Sequence, residues 1–206
     1  MPPAPYDSSA GYLSQAIDNS LERLRTDRID LWQIHRPDIL THPQEIARTI
    51  EDAHKAGKIR CFGVSNFTPS QIATLAQFSS VPIVSTQPEL SPLRIDTIEN
   101  GELDQAIAME LSVLAWSPLG GGRIGDPTTR REQDVAAALS GVAAAHSVSR
   151  AAAAYSWIMA HPARPIPIVG SQNPARIAEA AAAFKVKWTR ADWYNIFAAS
   201  KGAALP

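Results

Sequence analysis

The sequence predicts an α/β fold built on parallel β-strands, and three observations support that prediction. Five short apolar runs, rich in Ile, Val or aromatic residues, have the length and composition of buried strands. Stretches with the 3.6-residue apolar spacing of helices separate these runs. No linker or low-complexity segment interrupts the alternation. Alternating strands and helices form βαβ units with a parallel sheet, in either an open doubly wound sheet or a (β/α)8 barrel.

The five runs are too short for core helices, which favours strands. In chain order they are IDLWQIH (29–35), IRCFGVS (59–65), PIVSTQ (82–87), SVLAWS (112–117) and PIPIVGS (165–171). A helix is predicted ahead of the first strand, because SAGYLSQAIDNSLERLR carries one apolar face. The residues expected on that face are Tyr12, Leu13, Ile17, Leu21 and Leu24.

The other helices are predicted from apolar spacing and from capping signals. PQEIARTIEDAHKAGK has helical spacing, and Gly57 is placed to cap its C-terminus. Thr68, Pro69 and Gln71 supply the N-cap, the first helical position and the capping box of the next helix. Two further helices are predicted to start at Asn173–Pro174 and at Thr189, which has Asp192 three residues on. Two more are predicted at roughly 130–145 and 149–160.

The composition is that of an ordinary soluble protein of one domain, 1–206, with 45% hydrophobic and 19% charged residues. The net charge of -1 and the lack of charged blocks argue against nucleic-acid and membrane partners. The single cysteine, Cys61, excludes an internal disulfide and favours a reducing compartment. No signal peptide or membrane span is recognisable, so we expect a cytoplasmic protein.

Polar groups follow all five predicted strands, at the strand ends where both candidate architectures place their binding sites. The ends are His35-Arg36-Pro37, Ser65-Asn66-Phe67, Thr86-Gln87-Pro88, Trp116-Ser117-Pro118 and Gly170-Ser171-Gln172. Amides and hydroxyls that converge on one edge suit a neutral polar ring such as a carboxamide, and Trp116 offers a stacking surface. Each feature alone also has a structural explanation, and their recurrence at five strand ends favours a site.

Two further features suit phosphate binding. The glycines of SPLGGGR (117–123) let backbone N–H groups approach a phosphate closely. The helix after GSQNP presents its N-terminus, where anions bind, and Arg176 adds a bidentate partner.

The stretches DLWQIHRPD, GKIRCFGVSNFTPSQ, STQPELSP, LAWSPLGGGR and IPIVGSQNPARIAEA resemble, in order and spacing, the aldo-keto reductase family. The closest resemblance is to bacterial YdhF-like members, and it extends from about Tyr6 to the C-terminus. It implies a TIM-type (β/α)8 barrel of which this chain holds the last five βα units, the C-terminal portion. It also implies reduction of a small-molecule carbonyl to an alcohol by hydride from NADPH, with NAD less favoured.

The resemblance assigns roles to the strand-end residues. His35 matches the active-site histidine that orients the substrate carbonyl. Ser65, Asn66 and Gln87 match the groups that hold the nicotinamide carboxamide, and Trp116 replaces an aromatic, usually tyrosine, that stacks on the nicotinamide.

The rest of the cofactor is matched by residues of the last two strand ends. They are Ser117, Leu119 and Gly120 in the pyrophosphate loop, Gly170, Ser171 and Arg176 around the 2′-phosphate, and Glu179 at the adenine. Some family members have Lys where this chain has Gly170 and Asn where it has Ala180. Both departures weaken the adenosine end, so the expected preference for NADP over NAD is reduced.

The family's catalytic tetrad is Asp, Tyr, Lys and His, and only His35 has a match in these residues. We therefore expect a truncated chain with impaired activity, since losing a general acid costs about 10²–10⁴ in rate. The alternatives are a non-catalytic dinucleotide-binding barrel protein that acts through a partner, and a phosphate-binding α/β protein that binds no nucleotide. Open sheet edges near Leu31 and Ile168 predict self-association, and an apolar inner sheet face is expected.

Overall fold

The computed structural model describes residues 6–203, and the chain forms two compact units. Unit 1 comprises the described chain up to Gln87 together with Ala108–Leu111. Unit 2 comprises Pro88–Ile107 and the described chain from Ser112 onward. Both units combine helices with parallel strands, which confirms the α/β fold class. The single domain expected over 1–206 stays a prediction.

Unit 1 is a three-stranded parallel sheet with helices before, between and after its first two strands. Its elements are α1 (Ala10–Leu24), β1 (Ile29–Ile34), α2 (Pro43–Lys55), β2 (Ile59–Ser65), α3 (Pro69–Phe78) and β3 (Ile83–Gln87). Strand β2 lies between β1 and β3 and pairs with both in parallel. The core includes fully buried Ile50, Phe62 and Leu75 from α2, β2 and α3.

Unit 2 is mainly helical and contains one pair of parallel strands. Its elements are α4 (Asp96–Glu99), α5 (Glu102–Ala108), β4 (Ser112–Ala115), α6 (Arg130–His146), α7 (Arg150–Met159), β5 (Ile166–Pro167), α8 (Pro174–Ala180), a 3-10 helix (Ala181–Lys185) and α9 (Arg190–Lys201). The last residue of α5 is grouped with unit 1.

A pair of tryptophans joins α7 to α9 in unit 2. The rings of Trp157 and Trp193 stack with centroids 4.7 Å apart. Each indole N–H donates to the other residue's backbone carbonyl at 3.1 Å. Because both polar N–H groups find partners, these large aromatic rings pack without an unsatisfied donor.

The capping signals in the sequence are confirmed. Thr68 and Gln71 form a complete capping box at α3, with Pro69 at the first helical position. Asn173 and Thr189 cap α8 and α9 through their side chains. The helices expected at 130–145 and 149–160 are α6 and α7. The predicted C-cap of α2 is the exception: the C-cap is Ala56, and Gly57 follows it with a φ of 76°.

Other expectations need correction. Tyr12 and Leu24 are 56% and 64% exposed, because α1 buries Leu13 and Ile17 and turns the other two residues away. The strand expected over 165–171 is reduced to Ile166–Pro167, the two residues that pair with Leu114 and Ala115 of β4. The first and fourth strands end at Ile34 and Ala115, before the expected 35 and 117, and β3 begins at Ile83. The short helices α4 and α5 carry no strong sequence signal and were missed.

No helix formed by residues 6–203 has both the length and the apolar composition needed to cross a membrane.

Candidate functional site

The candidate residues of unit 1 lie where its three strands end. Ser65 and Gln87 are the last residues of β2 and β3 and stand side by side in the sheet register. His35 follows β1 directly and is exposed, whereas Ser65 is only 2% exposed. Asn66 follows β2 with a φ of 62°, a left-handed conformation that asparagine tolerates better than most residues.

Hydrogen bonds tie these strand ends into one polar edge. Ser65 Oγ donates to the Gln87 carbonyl at 2.7 Å, and the Asn66 N–H donates to the same carbonyl at 3.2 Å. The Asn66 amide Nδ2 donates to Ser65 Oγ at 2.9 Å and to the His35 carbonyl at 3.1 Å. Because the Ser65 hydroxyl and the Asn66 amide hydrogens are engaged within the protein, they hold the edge in a fixed geometry.

Two residues of this edge were missed by the sequence reasoning. Gln33 Nε2 donates to Gln87 Oε1 at 2.7 Å, and Ser85 Oγ donates to Gln33 Oε1 at 2.9 Å. Gln33 and Ser85 each precede a predicted site residue by two positions, so strand alternation places them on the same sheet face as His35 and Gln87. That spacing was the signal that could have identified them. The sheet face of unit 1 was expected to be apolar, but it is polar near the strand ends, where Gln33, Ser85 and Gln87 lie.

The candidate residues of unit 2 surround a cavity of about 760 Å³. The predicted residues that line it are Ser117, Leu119, Gly170, Ser171, Arg176 and Glu179. Gly120 instead packs on Leu93, where a Cβ would lie 2.9 Å from the leucine Cδ1. Trp116 is half-buried, and its backbone N–H donates to the Pro88 carbonyl at 3.0 Å.

The loop after β4 needs left-handed backbone at several positions. Gly121 and Gly122 line the cavity with φ of 68° and 94°, values at which a side chain would be strained. Short turns shape the loop, with Gly125 N–H donating to the Gly122 carbonyl at 2.8 Å. Two of the three glycines predicted to favour phosphate approach, Gly121 and Gly122, thus line the cavity.

Charged side chains fix the outer part of this loop. Arg123 Nε donates to the Gly120 carbonyl at 2.7 Å, and its Nη1 lies 3.3 Å from Glu132 Oε1. Glu132 also accepts from the backbone N–H groups of Thr128 and Thr129, at 2.8 and 3.0 Å. The N–H of Thr129, that of Thr128 and the nearby Arg123 lower the pKa of Glu132 to about 2. The carboxylate is therefore a charged anchor at neutral pH.

The charges at the cavity are two arginines and one glutamate. The Arg176 side chain is exposed and makes no hydrogen bond or ion pair with any residue from 6 to 203. Its guanidinium is therefore available to a ligand. Arg150, which the sequence did not single out, also lines the cavity and donates to the Ile124 carbonyl at 2.9 Å. Tyr155 lines it too; burial, and then the charge of Glu179, raise the pKa of its phenol.

The helix α8 was expected to offer an anion site at its N-terminus. It has seven residues, and the Asn173 side chain accepts from the Ala175 N–H at 2.9 Å. One of its free N–H groups is therefore already satisfied, which leaves Arg176 as the stronger anion-binding group. Within the described part of the chain, no group of three or more His, Cys, Asp and Glu side chains could hold a metal ion.

Comparison with known sequences identifies a family. The family model described as "Aldo/keto reductase family" matches residues 1–201. A "6-dehydroglucose reductase" of Novosphingobium aromaticivorans is 60% identical over 206 residues, which is all of this chain and 68% of that protein. "Oxidoreductase YdhF" of Escherichia coli is 35% identical over 202 residues, covering 98% of this chain and 67% of that protein. This chain thus spans about two thirds of the length of these relatives.

Solved structures share the fold. The glycerol dehydrogenase AKR11B4 from Gluconobacter oxydans matches 97% of this chain and 68% of its own, with a TM-score of 0.86 at 24% identity. The thermostable aldo-keto reductase Tm1743 matches 93% of this chain and 67% of its own, with a TM-score of 0.83 at 22% identity. At such identities the likeness concerns the fold alone.

Proposed function

This chain belongs to the aldo/keto reductase family, and we propose that it binds NADP(H) and serves the reduction of a small-molecule carbonyl to an alcohol. The observation that carries the proposal is the unit 2 cavity, in which Arg176 stands free among Ser171, Glu179 and the glycine loop. A cavity of about 760 Å³ has the size of typical cofactor sites.

The preference for NADP rests on Arg176. A 2′-phosphate is a dianionic group, and a planar guanidinium is its best side-chain partner because two parallel hydrogen bonds form. Ser171 adds a hydroxyl at the same cavity wall, and Glu179 adds an acceptor for the amino group of an adenine. Gly170 contributes no side chain where some family members have Lys, so we propose a modest preference rather than an absolute one.

The strand ends of unit 1 are proposed to hold the nicotinamide carboxamide. Gln87 Oε1 already accepts from Gln33, so the Gln87 Nε2 group is the part of this amide that can donate to the carboxamide oxygen. The fixed hydrogen bonds of Ser65 and Asn66 support such a role, because a rigid polar edge loses little entropy when a ligand binds.

His35 is proposed to hydrogen-bond the carbonyl oxygen of the substrate. Its exposed position beyond β1 leaves the imidazole accessible. The bound cofactor supplies the hydride, and a donor at the oxygen stabilises the charge that develops there. No residue of the 206 matches the Asp, Tyr and Lys of the family tetrad. We therefore propose that these 206 residues alone reduce carbonyls slowly, since a missing general acid costs about 10²–10⁴ in rate.

The substrate is proposed to be an oxidised sugar. Two relatives, 60% and 34% identical, carry the name 6-dehydroglucose reductase. The high identity of the first supports 6-dehydroglucose or a similar carbonyl sugar. The alternative is a dinucleotide-binding protein that acts through a partner without catalysis. This alternative is worth testing because His35 is the single residue that matches the family's tetrad.

The experiment combines binding and turnover. NADPH fluorescence is titrated with the chain, and NADPH oxidation is then followed with 6-dehydroglucose in the parent and in His35→Ala. We expect binding together with turnover that is negligible beside a full-length relative. Turnover comparable with that relative, abolished by His35→Ala, would contradict the proposed impairment. Absence of any fluorescence change would contradict the proposed cofactor.

A further inference from the structure

Three positions on the parallel strands of unit 1 lie at one level of the sheet. Gln33 on β1 is beside Gly63 on β2, and Gly63 is beside Ser85 on β3. Neighbouring strands are about 4.8 Å apart, so β1 and β3 are separated by roughly 10 Å. The side chains of Gln33 and Ser85 can meet above β2 only where the middle strand leaves room for both. A Cβ at Gly63 would lie 1.9 Å from Ser85 Oγ and 3.2 Å from Gln33 Oε1.

The Gln33 amide lies above Gly63 of β2 and is held there at both polar atoms. Its Oε1 accepts from Ser85 Oγ at 2.9 Å, and its Nε2 donates to Gln87 Oε1 at 2.7 Å. Because Gln87 Oε1 is the acceptor in this bond, the Gln87 Nε2 group remains to donate elsewhere. Among residues 6–203 that nitrogen has no partner, and Gln87 is partly exposed.

We propose that Gln33 is a positioning residue that fixes the orientation of the Gln87 amide. With Oε1 bound to Gln33, Gln87 presents N–H donors to the ligand. This polar edge then selects a pyridine ring whose 3-substituent has a hydrogen-bond acceptor, the carbonyl oxygen of nicotinamide. The inference rests on the proposed function, which assigns Gln87 to the carboxamide. Gly63 and Ser85 belong to the same arrangement, because Gly63 makes room for the Gln33 amide and Ser85 hydrogen-bonds it.

The test uses three oxidised ligands that differ only at position 3 of the pyridine ring. They are NADP+, its 3-acetylpyridine analogue, which keeps the carbonyl, and its 3-aminopyridine analogue, which offers a donor and no carbonyl. Calorimetry gives the Kd of each for the full chain. In the parent we expect NADP+ and the acetyl analogue to bind alike and the amino analogue to bind about fivefold more weakly, as for one neutral hydrogen bond.

Gln33→Glu is the decisive variant, because it keeps the shape and replaces the donor Nε2 with an acceptor oxygen. Gln87 must then turn Nε2 toward residue 33 and its oxygen toward the ligand. We expect the preference to reverse in favour of the amino analogue. All three ligands carry the same charge, so the added carboxylate cancels in the ratio of Kd values. In Gln33→Leu, where the Gln87 amide is free to rotate, we expect a ratio near one.

Adenosine 2′,5′-bisphosphate, which lacks the nicotinamide, serves as the control ligand, and its Kd is expected to stay the same in every variant. The parent could bind all the ligands while Gln33→Glu keeps the same preference for NADP+ over the amino analogue. That result would overturn the role of Gln33 and leave the proposed function standing. A parent that binds none of them would overturn both. If Gln33→Glu does not fold, Ser85→Ala removes only the hydroxyl that holds Gln33 in place. A reduced preference in Ser85→Ala supports the proposal, and an unchanged one overturns it.

Discussion

At the scale of single residues, Glu132 is a charged group that helps to hold the glycine loop of unit 2. Its carboxylate accepts from Thr128 and Thr129 and lies beside Arg123, which in turn donates to the Gly120 carbonyl. The residue is buried, so its charge depends on these partners. The shape of the loop at the cavity is therefore linked to the ionisation of one side chain.

This linkage predicts a specific pH dependence. The folded pKa of Glu132 is about 2, below its usual value of 4.5, so its contribution to stability is present above about 4.5 and is lost as pH falls toward 2. The free energy of unfolding of Glu132→Gln should be lower than that of the parent at neutral pH, and the difference should shrink over this window. Denaturant titrations from pH 7 to about pH 2 measure it. Glu22→Gln, at an exposed position, is the matched control. A difference that does not vary with pH would contradict the assignment.

At the scale of elements, capping boxes determine where α3 and α6 begin. Thr68 and Gln71 bond each other's backbone N–H groups at α3, and Thr129 and Glu132 do so at α6. Each box satisfies two N–H groups that a helix start leaves without partners. These starts place the helices directly after the loops that carry the candidate site residues.

Removal of one cap tests this account of the helix starts. Thr68→Ala should lower the free energy of unfolding by about 1 kcal/mol, because the Gln71 N–H loses its acceptor. Thr74→Ala, on the exposed face of the same helix, makes the same chemical change away from the cap and should alter stability by less than about 0.5 kcal/mol. Chemical denaturation of both variants measures the values. Equal effects would show that the cap contributes nothing particular.

The caps also show what the sequence could predict. A capping box requires only residues three positions apart, so Thr68 and Gln71 were recognisable without any tertiary information. The extent of β5 was not, because it depends on tertiary pairing with β4, which pairs with Ile166 and Pro167. The link between Gln33 and Gln87 joins residues on different strands, and only the register over Gly63 reveals it. Strand ends were therefore predictable as candidates, and their mutual contacts were not.

At the scale of the whole molecule, exposed strand edges are the feature with the widest consequences. Among residues 6–203, β2 is the one strand that pairs with β1 in unit 1, so β1 presents an edge. Leu31 on this strand is 38% exposed. An apolar strand with unpaired backbone groups is a template for pairing with another chain. The self-association predicted from the sequence thus has a defined candidate surface.

A charged residue on that edge should oppose association. Light scattering of the parent is expected to give oligomers whose proportion rises with concentration, and Leu31→Lys should shift the population toward monomer. Leu40→Lys is the matched control, because Leu40 is 91% exposed but lies in a loop. A monodisperse parent monomer with a sharp thermal melt would show that the edge needs no partner.

We have proposed that the chain binds NADP(H) through the unit 2 cavity, with Arg176 at the 2′-phosphate. The most direct measurement is the Kd of NADPH and of NADH for the parent, Arg176→Ala and Arg190→Ala. Arg190 is an exposed arginine at the start of α9, outside the cavity, and is the matched control. We predict that Arg176→Ala weakens NADPH by about 1.5–3 kcal/mol, as for a charged hydrogen bond, with little effect on NADH. Equal losses for both cofactors, or an equal loss in Arg190→Ala, would contradict the claim.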